Sequence, residues 1–183
     1  MSTTLHLYST NLRMVRELAC RPPGWLLEGC RARAAERPGV AEGLDGLFAS
    51  GEGPALAWEA VVRQAEGTAF AFGPLRLGSR LFAETSEEME RLGVDGAFTP
   101  LGFLYRSPFP GTEDAGEAPA VGHLPAPAVA GLRDAYRQVL GELASPARDM
   151  AEAVLKAADE TVHFNAFADR NELPHQDLVT FHY

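Results

Sequence analysis

The last seven residues, Asp177 to Tyr183 (DLVTFHY), alternate as a strand does, with Leu178, Thr180 and His182 on one side and Val179, Phe181 and Tyr183 on the other. Thr3 to Tyr8 (TTLHLY) reads the same way at the other end, His6 sharing a side with Tyr8 opposite Leu5 and Leu7. Chain ends fray unless something ties them down, and pairing into a sheet does that. Between the two strands the apolar spacing is mostly helical. Ser9 or Thr10 is placed to cap a helix to about Cys20, broken by Pro22-Pro23-Gly24, and a second helix runs from Trp25 to about Glu36. One short helix is expected around Leu44 to Phe48. Pro54 opens another through Glu66, with Trp58, Val61, Val62 and Ala65 turned inward.

Thr68 to Phe72 fits either strand or helix. Pro74 to Leu92 reads as a helix, weakened by Gly78, and Ser86 is an alternative place for a fresh start. Residues 93–122 have no long period and read as one long connection, of the kind that is usually functional or disordered in compact domains. Pro125 or Pro127 then opens a helix through Leu143, and Pro146 begins a last one ending near Phe167. The expectation is one α+β domain over residues 1–183, mostly helical, with a small sheet that includes the N- and C-terminal strands. At 183 residues the chain is long enough to bury a core without staples.

Charge narrows the partners. The net charge is -9, yet residues 1–37 hold six arginines against three glutamates, which leaves -12 on the rest. The arginine-rich face reads as solvated, as paired with acidic helices of the same fold, or as a docking surface. An acidic body repels nucleic acid and steers toward basic partners. No run approaches the roughly 20 apolar residues of a membrane span, and no targeting segment is visible, so a cytoplasmic location is expected. Cys20 and Cys30 make neither a disulfide framework nor a zinc knuckle, and they read as small buried hydrophobes.

Candidate chemistry is sparse. His6, His163, His175 and His182 would gather if the terminal strands are neighbours, and imidazole is the commonest metal ligand. Their spacing fits no metal motif, and a metal-dependent hydrolase built on these four is the alternative to a binding role. Neither a nucleophile elbow nor a glycine-rich phosphate loop occurs, and no cofactor is expected. The long connection offers a candidate binding surface in Phe98, Phe103, Tyr105 and Phe109, with Glu113 and Asp114 at an acidic tip. Aromatic anchors are typical of protein interfaces, although packing beneath the connection is the favoured reading of these residues.

The segments Phe70-Ala-Phe-Gly-Pro-Leu-Arg-Leu and Gly93-Val-Asp-Gly-Ala-Phe-Thr-Pro-Leu, with the two terminal strands, resemble an uncharacterised family of small actinobacterial proteins. More distantly the pattern is similar to YfbM-like proteins, which share a helical body and a late strand. Neither resemblance implies catalytic residues. The YfbM-like one implies, by analogy of genome context, an immunity role in bacterial toxin systems. The resulting expectation is a non-enzymatic protein-binding protein, with an immunity or regulatory role toward a basic partner.

Overall fold

The computed structural model describes residues 2–35, 39–65, 69–78, 80–112 and 120–183, with the backbone alone for 2–3 and 69–78. The strands are β1 (Ser2–Thr10), β2 (Ala69–Gly78), β3 (Ala120–Leu124) and β4 (Asp177–His182), in the order β2-β1-β4-β3. Every neighbouring pair is antiparallel. The first and last strands therefore lie side by side at the centre of an α+β fold. Thr4 and Tyr183 exchange backbone hydrogen bonds of 3.0 and 3.1 Å where they meet.

Helices α1 (Leu12–Cys20), α2 (Gly24–Ala34), α3 (Val40–Ser50) and α4 (Ala55–Gln64) share one core with Tyr8, Val121, Val179 and Phe181. On the opposite side, α5 (Leu81–Arg91), the four-residue α6 (Pro100–Phe103), α7 (Ala126–Val139) and α8 (Ala147–Asn171) provide a second core with Leu5, Leu7, Leu124 and Leu178. Antiparallel sheets often leave one face to water, and the central strands of this one do not. Both faces of β1 and β4 are covered, so the polar residues His6, Ser9, Thr10, Thr180 and His182 are interior.

Three expectations change. Pro74 to Gly78 belongs to β2, not to a helix, which begins only at Leu81. Proline cannot donate to a ladder, and β2 lies at the sheet edge; the β1–β2 register shifts between Leu5 and Leu7, opposite Gly73 and Pro74. The connection over 93–122 contains a 3₁₀ turn at Gly96–Phe98, helix α6 and the start of β3. Such short elements leave no readable period. Finally, Asn11 caps α1, accepting from Met14 N at 2.8 Å, because Ser9 and Thr10 are still in β1. Its amide also donates to His175 O, tying α1 to the approach to β4.

Entry into β4 is tightly specified. Asn165 on α8 pairs both ways with the backbone of Gln176, at 2.9 and 2.7 Å, and Gln176 in turn accepts from Ser9 Oγ at 2.6 Å. Asp177 accepts from Ala126 N at 2.7 Å, capping α7 where Pro125 and Pro127 have no N–H to offer.

Gly122 shows how closely the layers approach. A methyl group there would stand 2.5 Å from both Leu104 Cα and Phe103 O, which belong to backbone and cannot swing away. Gly122→Ala is expected to cost about 1–3 kcal/mol, the usual penalty of overpacking. Urea unfolding at neutral pH checks it, and an unchanged midpoint would contradict this packing.

Candidate functional site

The most polar place in the interior lies between β1 and α4. The period of two turns His6 and Tyr8 toward α4, and Glu59 meets them there, only 2% exposed. Glu59 Oε1 collects three donors: Tyr8 Oη at 2.8 Å, His6 Nδ1 at 2.8 Å and Arg63 Nη2 at 2.9 Å. Arg63 Nε donates to Tyr8 Oη at 2.5 Å, leaving the phenol hydrogen for Glu59. Arg63 Nη2 also touches His6 Nδ1. A carboxylate can only accept and a guanidinium can only donate, so both nitrogens point protons at the one oxygen. The His6 ring rests edge-on against Tyr183 at 5.3 Å, which brings the end of β4 into the same cluster.

Sequence reasoning missed Glu59. The available signal was its setting: Ala55, Ala57, Trp58, Ala60, Val61 and Val62 are all buried around it, so α4 offers no solvated side for a carboxylate. A charge in such a helix must be paired, and Arg63 one turn later is the local partner.

The four histidines proposed as a cluster are dispersed. His6 pairs with Phe181 in the β1–β4 ladder and His182 with Leu5, so the two histidines point to opposite faces. His6 enters the α1–α4 side, whereas His182 faces Phe82 and Tyr105 on the other. His163 is exposed and lines an open groove of about 580 Å³ between α7 and α8, and His175 pairs with Asp169 at 2.7 Å in the surface turn before β4. Strand adjacency brought the backbones together while the pleat separated the rings. Among the described residues no three His, Cys, Asp or Glu side chains assemble into a possible metal site.

The aromatic candidates divide too. Phe109 is sandwiched between Trp58 (4.5 Å, stacked) and Phe181 (6.2 Å, stacked), and Phe103 is fully buried. Phe98 is half-buried against Gly131 of α7. Tyr105 alone stays open, at 53% exposure, with Leu101 one turn earlier at 46%. Glu113 and Asp114 lie outside the described residues. Cys30 is buried as expected, and its thiol is pushed up to about 11 by that burial; Cys20 is exposed instead.

Residues 1–183 match a domain of unknown function, DUF7691. The chain belongs to the DUF7691 family. No curated protein and no solved structure matches it. Among the described residues of this DUF7691 chain, no helix is long and apolar enough to cross a membrane.

What the Glu59 cluster does in this DUF7691 fold is clamp α4 onto the sheet. Burial, reinforced by the Glu59 charge, pushes the Tyr8 phenol well above its usual range against the opposing pull of Arg63. Tyr8 thus stays protonated and keeps donating. Removing the carboxylate strands three donors in a buried space, so Glu59→Ala should destabilise the fold by about 3–5 kcal/mol. Glu59→Gln, which retains an acceptor oxygen, should lose less. Denaturant midpoints for both variants test the ranking; equal, small losses would show that the cluster is energetically idle.

Proposed function

We propose that this protein works by binding a protein partner, through the surface formed by Leu101 and Tyr105. The observation that carries this reading is that Tyr105 is half-exposed in a stretch where Phe98, Phe103 and Phe109 are packed away. Tyr105 and Arg106 are of the residue types that most often anchor interfaces, and Leu101 one turn earlier extends the exposed apolar surface beside them. The backbone beneath them is held: Ser86 Oγ accepts from Leu101 N at 3.0 Å, and Leu104 O accepts from His182. A rigid platform of this kind loses little freedom on association.

The net charge of -9 supports a basic partner, drawn in by long-range attraction. Inhibition or regulation of a basic protein is the biological form this reading takes, consistent with the immunity role implied by the YfbM-like resemblance.

Affinity capture from cells that carry the protein, compared across variants, tests the proposal. A partner retained by the wild type should be lost with Leu101→Asp and with Tyr105→Ala, while the melting temperature stays within a few degrees. With that partner purified, the association rate should fall as salt rises. Equal retention by both variants removes this surface from the mechanism, and a salt-independent rate removes the charge steering.

A further inference from the structure

Tyr105 covers a histidine. His182 sits on the α5–α8 side of β4, only 5% exposed, and its ring meets Tyr105 edge-on at 4.7 Å and Phe82 at 5.7 Å. Its Nε2–H donates to Leu104 O at 3.2 Å. One imidazole therefore holds both the backbone just before Tyr105 and the Tyr105 ring itself. We propose that His182 is a proton-operated latch, holding Tyr105 against the sheet while neutral and releasing it when the imidazole is charged. This names a regulation of the binding surface above, and it rests on that reading only for its consequence, not for the movement.

The surroundings of His182 give the direction. Leu5 of β1 and Ala120 of β3 flank it in the sheet, Phe82 faces it from α5, and Leu104 and Tyr105 close over it after α6. Tyr105 is the one titratable group in that set, and burial raises its phenol, so it too is uncharged near neutrality. Among the described residues no carboxylate is paired with His182. With Nε2 committed to Leu104 O, a second proton goes to Nδ1, placing an unpaired charge among apolar and aromatic groups. The Tyr105 ring offers a cation–π attraction, smaller than the cost of burying an unpaired charge.

Water is the alternative, and among the described residues around the ring Tyr105 is the most open to it. Leu5 and Phe82 are core residues, at 0% and 1% exposure, whereas Tyr105 is already half in solvent. The charged ring is solvated most readily by displacing Tyr105. Burial holds the His182 pKa below the ordinary histidine range, against the weaker opposing effect of the Leu104 carbonyl. The released state then binds the proton more readily than the latched one. Acidification through and below the ordinary range opens the latch, and neutral pH closes it.

Aromatic carbon-13 NMR of the isolated protein, from about pH 8 to about pH 5, reads both rings at once. The Tyr105 resonances should shift with the same midpoint as the His182 imidazole, below that of a solvated histidine. In His182→Gln, whose amide can still donate to Leu104 O, they should stay flat over this range. Reciprocally, Tyr105→Ala should move the His182 midpoint up toward the ordinary value. Circular dichroism at each pH confirms that the protein is folded. The latch is overturned if Tyr105 stays still through the His182 titration, or moves identically in His182→Gln. Should His182→Gln not fold, an unmoved His182 midpoint in Tyr105→Ala overturns it. Because these measurements need no partner, their failure is distinct from that of the binding surface, which the capture experiment reads.

Discussion

The antiparallel pairing of β1 with β4 is the contact on which the rest of the molecule depends. It joins residues 167 to 177 positions apart, from Thr10 with Asp177 to Leu5 with His182, and places them at the centre of the sheet, with β2 and β3 added outside. Helices then cover both faces, so each face of β1 and β4 contributes to a different core. Closing so long a loop costs entropy before any contact repays it. Repayment comes from many sources at one seam: the ladder, two cores, the Asn165–Gln176 pair and the Asp177 cap on α7.

Covering both faces also decides where polar chemistry lies. A histidine on a one-sided sheet can point to water, but here His6 and His182 have no outer face to occupy. Each is resolved differently. His6 is satisfied by a buried carboxylate, which brings Tyr8 and Arg63 into a connected network. His182 receives a single backbone carbonyl and two aromatic rings. Neighbouring ladder positions thus produce a charged, multiply bonded network on one face and a single hydrogen bond among aromatic rings on the other. Of the two, the second lies beneath the exposed ring of Tyr105.

Stability and function are correspondingly separated in space. Glu59 and its donors are shut in by α4 and hold two layers together. Leu101 on the short helix α6 and Tyr105 in the turn after it reach solvent, while the backbone beside them is fixed from below by Ser86 and His182. Loops and short helices mounted on a rigid scaffold are where proteins commonly place recognition.

Local pattern was enough to identify the two terminal strands, the helical character of the body and most of its helices, because apolar period and proline positions act over a few residues. Trp58, Val61, Val62 and Ala65 were legible as core for the same reason. Thr68 to Phe72 fitted either strand or helix, and the rest of edge strand β2 and the five-residue β3 were not legible, since Gly73, Pro74 and Gly122 obscure any alternation and the strands exist only through their partners. Glu59 looked like one more surface acid until α4 was enclosed on every side. The histidines show the limit most directly: their chain positions were consistent with one cluster, yet register sent His6 and His182 to opposite faces. Periodicity is a property of the segment and can be read from it. Which face is buried, and against what, is a property of the pairing, and tertiary structure alone decides that.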